Sequence, residues 1–168
     1  DAFANLWDRH IAASALEYYN LLIRQRVKPG ALVLDAGAGT GERTLALLRN
    51  SRPGMVVGLD ASVGMLSVAR SKIADRRVRF MHGDITRLPF DDNIFDVVSC
   101  TWAVETLSDP RAAVQEFVRV IKPDGVVIYA FCSLPEGTPG EVLGRLIAAV
   151  ASEHSPLTHL LGEAERPF

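Results

Sequence analysis

The 168-residue sequence has few cysteines, almost no net charge and no long apolar run. Cys100 and Cys132 are too few and too far apart for a zinc cluster or a disulfide scaffold, which favours buried, reduced thiols. Eighteen basic and twenty acidic residues give a net charge of −2, so nothing attracts the chain generally to nucleic acid or anionic membranes. No stretch approaches the roughly 18 apolar residues of a membrane helix. We expect neither a nucleic-acid partner nor a membrane span.

The sequence also lacks targeting and metal-binding signals. Its first residues have no signal-peptide character, and both cysteines lie in apolar runs, so we expect a reduced, cytoplasmic protein. It starts at Asp1 rather than Met, so any targeting signal upstream cannot be read. We interpret the chain as a piece excised from a longer one. His154 and His159 have no carboxylate partners at ligand spacing, so no metal site is expected. With 48% hydrophobic and 23% charged residues, the composition is that of an ordinary globular domain.

Helical and strand-like segments alternate along the chain. A helical apolar pattern covers residues 2–26 and ends at Lys28-Pro29-Gly30. Apolar runs typical of buried parallel strands follow at 31–34, 55–59, 78–81, 94–100 and 126–132. Amphipathic segments that predict helices lie at 42–50, 63–74, 110–121 and 140–153.

This alternation predicts an α/β fold with a doubly wound, mostly parallel, Rossmann-like sheet. The length favours a single domain over residues 1–168. We divide it into an N-terminal helix (1–28), a cofactor-binding core (31–134), and a helix and tail (135–168).

The strongest motif is a glycine-rich loop between the first strand and the first crossover helix. Gly37, Gly39 and Gly41 have the spacing GxGxG rather than the dinucleotide pattern GxGxxG. Asp35 and Glu42 flank them, and two carboxylates at a helix N-terminus oppose a bound pyrophosphate. A tight turn without a ligand is the simpler interpretation. The acids nevertheless favour a ligand with positive groups, such as an ammonium or a sulfonium, over NAD.

Two further acids follow the second and third strands. Asp60 is placed to accept hydrogen bonds from ribose hydroxyls, although a strand-end Asp is often a helix N-cap. Ser62 is the better cap candidate, which would leave Asp60 free for a ligand. Asp84 could accept from an adenine amine while the Ile85 amide faces a ring nitrogen, or Asp84 could simply close a turn.

Five segments in this order and spacing resemble the class I S-adenosylmethionine-dependent methyltransferases, especially the small-molecule type of quinone biosynthesis. They are VLDAGAGTGE, VVGLDASVGMLSVAR, VRFMHGDITRLPFDDNIFDVVSC, AVETLSDP and EFVRVIKPDGVVIYAF. The resemblance covers about residues 31–132. It implies methyl transfer from S-adenosylmethionine to a small-molecule acceptor.

The resemblance also implies cofactor contacts for eleven residues. The methionine end would be held by Asp35, Gly37, Ala38, Gly39 and Gly41, with Thr101 nearby. The ribose would be bound by Asp60, and the adenine would lie near Ala61, Met65, Asp84 and Ile85.

The chain departs from the family in two places. Glu105-Thr106 stands where many relatives have Glu-His or His-His, so no imidazole base is implied and the catalytic residue stays unassigned. Glu105 and His82 are weak candidates if the acceptor must lose a proton. In addition, residues 155–168 are too short for the antiparallel pair of strands that closes the family's sheet. We expect that pair to be lacking.

These departures leave alternatives open. The chain could be a non-catalytic or truncated S-adenosylmethionine-binding module, or, less in keeping with GxGxG and Glu42, an NAD-binding oxidoreductase domain. Without closing strands, the fifth strand (126–132) would expose an apolar edge. We therefore expect a homodimer through that edge, or its coverage by residues 141–168.

Overall fold

The computed structural model describes residues 13–130. The helices are α1 (Ala13–Arg26), α2 (Glu42–Asn50), α3 (Val63–Lys72) and α4 (Pro110–Val120), with a short 3₁₀ helix at Val104–Thr106. The strands are β1 (Leu32–Ala36), β2 (Met55–Asp60), β3 (Val78–His82), β4 (Phe95–Thr101) and β5 (Ile121–Ala130). The expected helix at 140–153, the tail, Cys132, His154 and His159 lie outside the described residues.

The five strands form one parallel sheet in the order β3-β2-β1-β4-β5. This order confirms the doubly wound, Rossmann-like fold. Within residues 13–130 no antiparallel strand accompanies the sheet.

Neighbouring residues on each central strand point to opposite faces, and both faces are covered. Val33 and Val97 belong to the apolar cluster beneath α1 and α2, whereas Leu34 and Val98 belong to the cluster beneath α4. All four side chains are 2% exposed or less. Burial on both faces explains why the strands read as continuous apolar runs in the sequence.

Several boundaries differ from the prediction. Strand β5 starts at Ile121 rather than at residue 126, because Ile121 already pairs with Phe95 before an irregularity in the ladder. Helix α4 therefore ends at Val120, one residue before its predicted end at residue 121. Pro123 disfavours a helical conformation at Lys122, which is consistent with that stop. Helix α3 ends at Lys72 rather than at residue 74, because Ile73 is already extended.

The strand order places a crevice between β1 and β4. From β1 the chain winds outward through β2 to β3 and then returns to β4 on the other side of β1. Ala36 pairs with Leu59 and with Cys100, so the strands' carboxyl ends meet along one edge. Ligands of open α/β sheets bind at such a switch point.

Candidate functional site

The glycine-rich loop lies across the carboxyl ends of β1 and β2. Gly37, Gly39 and Gly41 all have positive φ, at 77°, 52° and 87°. The amides of Gly37 and Ala38 donate to the carbonyl of Leu59 on β2, at 2.8 and 3.0 Å. The loop is thus held down at its start by main-chain hydrogen bonds. It leads into α2 at Gly41, which provides no side-chain cap.

Asp60 joins this loop to the turn after β2. Its Oδ2 accepts from the Gly39 amide at 2.8 Å, and its Oδ1 accepts from the Ser62 amide at 2.7 Å. Ser62 caps α3, as expected, by accepting from the Met65 amide. Asp60 is therefore not the cap, but both of its carboxylate oxygens already accept from main-chain amides. Each oxygen still has a second lone pair for a ligand.

The residues after β2 and β3 line the next part of the same edge. Ala61 is exposed and Met65 is half-buried. The Ala61 carbonyl lies 3.1 Å from His82 Nε2. His82 is exposed on β3, two strands away from the switch point, which is an unfavourable place for a base acting there.

Asp84 closes its own turn. Its Oδ1 accepts from both the amide and the hydroxyl of Thr86, at 2.8 Å each, and these hydrogen bonds lower the pKa of the carboxyl. This geometry agrees with the simpler interpretation of Asp84. The side chain of Ile85 is buried in the core, so only its main chain could face a ligand.

The segment after β4 forms the other wall of the crevice. Thr101 is buried at the end of the strand, and Trp102 adopts a left-handed conformation with φ of 52°. That conformation is uncommon for a non-glycine residue, and here the Trp102 amide donates to the Ala130 carbonyl on β5 at 2.8 Å. The side chain of Glu105 lies outside what the structure describes.

Asp35 is buried at the centre of the site, with 1% exposure. Thr44 Oγ1 on α2 donates to its Oδ2, while its buried Oδ1 accepts no hydrogen bond from residues 13–130. Burial raises the pKa of Asp35 to about 6, against the lowering effects of the Thr44 hydrogen bond and the Arg43 charge. Asp35 therefore presents an unsatisfied acceptor next to the glycine-rich loop.

Sequence reasoning missed the aromatic and cationic groups around Asp35. Arg43 is 4% exposed, and its guanidinium carbon lies 5.3 Å from the Tyr19 ring centroid and 5.0 Å from that of Trp102. The Tyr19 and Ser99 hydroxyls share a buried hydrogen bond of 2.7 Å. One signal was available, since Arg43 precedes buried Ala46 and Leu47 at the three- and four-residue steps of one helix face.

The sequence profile of a family described as a methyltransferase domain matches residues 34–129. The chain belongs to this methyltransferase family. It is 41% identical over 107 residues to a demethylmenaquinone methyltransferase of Clavibacter sepedonicus, covering 63% of this chain and 43% of that protein. A protein of the same name from Bacillus cereus is 40% identical over 113 residues, with 65% and 48% covered. The chain thus spans about half the length of these curated relatives.

Solved structures agree on the fold. The YcgJ protein from Bacillus subtilis superposes with a TM-score of 0.66 at 34% identity, covering 77% of this chain and 55% of that one. The [4+2]-cyclase SpnF superposes with a TM-score of 0.70 at 24% identity, covering 81% and 57%. Since a cyclase shares this architecture, the fold alone does not decide the activity.

Two kinds of feature are lacking in the described part of the chain. None of the helices in residues 13–130 has the length and apolar character that a membrane crossing requires. Over the same residues, no three potential metal ligands among His, Cys, Asp and Glu come together.

Proposed function

We propose that this chain binds S-adenosylmethionine and supports methyl transfer to a small-molecule acceptor. The observation that carries the proposal is the buried, unsatisfied Oδ1 of Asp35 beside the glycine-rich loop at the switch point. A buried acceptor of this kind favours a ligand that donates a hydrogen bond and carries positive charge. The ammonium of S-adenosylmethionine meets both requirements, and membership of the methyltransferase family supports the choice.

In this proposal the cofactor's methionine end is held by Asp35 and the loop Gly37, Ala38, Gly39 and Gly41, with Thr101 opposite. The remaining lone pairs of Asp60 accept from the ribose hydroxyls. Ala61 and Met65 flank the adenine, and Asp84 and the Ile85 main chain address its edge. The loop geometry supports this assignment, because Gly39 leaves open space where a side chain would point.

When bound, S-adenosylmethionine supplies a methyl group on a positively charged sulfur that leaves readily. The protein's main task in such a displacement is alignment, which can account for much of the rate enhancement. Here Asp35 and Asp60 would fix the methionine end and the ribose of the cofactor relative to the sheet. Thr101 and Trp102 would form the wall that shields the reacting centre from water.

We further propose that the acceptor is a small molecule. The demethylmenaquinone methyltransferases to which the chain is similar make a reduced demethylmenaquinone the first acceptor to try. Transfer of labelled methyl groups from S-adenosylmethionine to demethylmenaquinol, extracted and counted, would support the proposal. Labelling of DNA or RNA in place of any small molecule would contradict it.

The two edges of the sheet support a further part of the proposal, which concerns assembly. Strand β3 carries exposed Arg79 and His82, whereas the last five residues of β5 (126–130) have no charge. Within residues 13–130 nothing pairs with the outer side of β5. We propose that this side is covered by a second copy of the chain or by residues 141–168.

The cofactor assignment is tested by replacing Asp60. Asp60→Ala removes charge-assisted hydrogen bonds to the ribose, each worth roughly 1.5–3 kcal/mol, so affinity should fall about 10- to 150-fold. The affinity of Asp60→Asn should lie between those of the unmodified chain and Asp60→Ala, because the asparagine keeps one acceptor oxygen for the Gly39 amide. Titration calorimetry with S-adenosylhomocysteine measures both changes.

Asp91→Ala is the matched control. Asp91 is an exposed acid two residues before Asn93, whose amide is bound to the last turn of α4, far from the strands' carboxyl ends. The Asp91→Ala variant should bind S-adenosylhomocysteine with the affinity of the unmodified chain. Equal affinity of Asp60→Ala would place the ribose elsewhere, and preferential binding of NAD would overturn the cofactor assignment.

A further inference from the structure

Among residues 13–130, Arg43 and Asp35 are the two charged residues that are buried. They carry opposite charges and belong to neighbouring parts of the site, since Arg43 directly precedes Thr44, whose hydroxyl donates to Asp35 Oδ2, and the Arg43 charge lowers the pKa of Asp35. An isolated charge in such a place is costly, and a partner of opposite sign offsets part of that cost. The pairing makes Arg43 more than a packing residue.

The surroundings of Arg43 hold its guanidinium in one place. It lies near the ring of Tyr19 on α1 and the ring of Trp102 after β4, at 5.3 and 5.0 Å. A guanidinium near aromatic rings is stabilised by cation–π interaction, and its burial costs less than that of an ammonium because it is more weakly hydrated. The positive charge is therefore held between α1 and the segment after β4, which forms one wall of the crevice.

We propose that Arg43 is a positioning residue that keeps Asp35 ionised, so that its unsatisfied Oδ1 can bind the ammonium of S-adenosylmethionine at neutral pH. This inference rests on the proposed function. It assigns a role to a residue that acts on Asp35 through its charge and is not itself a cofactor ligand. Protonated Asp35 would lose the charge that attracts an ammonium.

Some of the groups that face Asp35 raise its pKa and others lower it. Burial raises its pKa most, and Asp60 on β2 raises it further, whereas Thr44 and Arg43 on α2 lower it. Tyr19 on α1 stays neutral, because burial and Asp35 raise the pKa of the phenol. The balance is a pKa of about 6 for Asp35.

Removal of the Arg43 charge should therefore raise the pKa of Asp35. An opposite charge nearby commonly lowers a carboxyl pKa by about 1–3 units, so without it Asp35 should titrate roughly one unit or more above 6. A larger share of Asp35 would then be protonated at pH 7. Binding of an ammonium ligand should weaken at that pH and recover as the pH rises.

Two measurements test the proposal on the whole chain. Carbon-13 NMR of carboxyl-labelled aspartate follows the titration of Asp35, whose signal is identified by its absence in Asp35→Asn. Calorimetry with S-adenosylhomocysteine between pH 5 and pH 8.5 follows binding. The variants are Arg43→Met, which keeps most of the volume, and Arg43→Lys, which keeps the charge. Thermal unfolding establishes that each is folded, and Arg43→Gln replaces Arg43→Met if the latter is not.

We expect the unmodified chain to lose affinity as the pH falls through about 6, in step with the Asp35 signal. In Arg43→Met both midpoints should move up by about one unit, and Arg43→Lys should stay near the unmodified chain. A merely structural role would lower affinity at every pH without moving the midpoint.

An unchanged Asp35 titration in Arg43→Met would overturn the inference alone, provided that the unmodified chain binds S-adenosylhomocysteine. Absence of such binding by the unmodified chain at every pH would overturn the inference together with the proposed function. The two failures are therefore distinguishable.

Discussion

Gly37 and Ala103 meet where the loop after β1 passes the segment after β4. A Cβ atom on Gly37 would lie 2.5 Å from the Cβ of Ala103, much closer than two such atoms can approach. Gly37 also has φ of 77°, a conformation that side chains rarely adopt. A side chain at position 37 would therefore have two separate energetic costs, one from backbone strain and one from overlap with Ala103.

Gly37→Ala should lower the free energy of unfolding by about 2–6 kcal/mol, since strain and overpacking each cost about 1–3 kcal/mol. The double variant Gly37→Ala with Ala103→Gly removes the clash and should recover the packing part. Gly30→Ala is the control for strain alone, because Gly30 has φ of 82° and open space around its missing Cβ. Urea unfolding measures these variants and the single variant Ala103→Gly, and a loss in the double variant equal to the sum of the two single losses would contradict the clash.

For individual residues, the sequence predicts which ones lie at the site better than it predicts their interaction partners. Acids at strand ends and glycines in a loop are visible in a single sequence, and so is the Ser62 cap. The partners of Asp60 and Asp35 are not visible, because they depend on how the loop after β1 approaches the turn after β2 and how α2 packs on β1. Arg43 was missed for the same reason, as a charge near a helix N-terminus is usually solvated.

Among the elements, the connection between β3 and β4 depends on one arginine of α4. Arg119 donates to the carbonyls of Leu88 and Phe90 at 3.0 and 2.7 Å and to the carboxylates of Asp92 and Glu116. Glu116 in turn accepts from the Leu88 amide at 2.7 Å. This irregular segment thus has its main chain satisfied by two side chains of a neighbouring helix.

Arg119→Ala should destabilise the fold by about 1–3 kcal/mol, because several charge-assisted hydrogen bonds are lost together. Arg119→Lys should recover little of this, since an ammonium cannot reproduce the planar fork of donors. Arg111→Ala, an exposed arginine at the start of the same helix, is the matched control and should have almost no effect. Equal losses for Arg111→Ala and Arg119→Ala, measured by denaturant unfolding, would show that Arg119 does not secure the segment.

The elements themselves were predicted in the right order, and only their ends were displaced. Residues 42–50 were placed correctly as a helix, because Gly41 starts it and its apolar face is regular. The start of β5 was missed because Lys122-Pro123-Asp124-Gly125 resembles a turn in any sequence. Only the pairing of Ile121 with Phe95 makes that stretch part of the strand.

For the whole molecule, the outer side of β5 decides how the sheet is completed. Ile128 and Val127 are buried on the two faces, so the strand is anchored, while Tyr129 is about half-buried at its outer end. An unpaired strand edge without charges, as residues 126–130 present on their outer side, is a template for pairing with another chain. A second copy and residues 141–168 are the two proposed occupants.

Sedimentation equilibrium distinguishes these occupants. If a second copy covers β5, the chain should be dimeric and Tyr129→Lys should weaken the dimer at least tenfold, because a buried lysine opposes pairing by more than about 1.4 kcal/mol. Leu21→Lys, which adds the same charge at an exposed position of α1, should leave the dimer intact. If residues 141–168 cover the edge, the chain should be monomeric, and the outward amides of β5 should exchange slowly until those residues are deleted. A monomer whose outward β5 amides exchange as fast as those of an exposed loop would contradict both forms of the proposal.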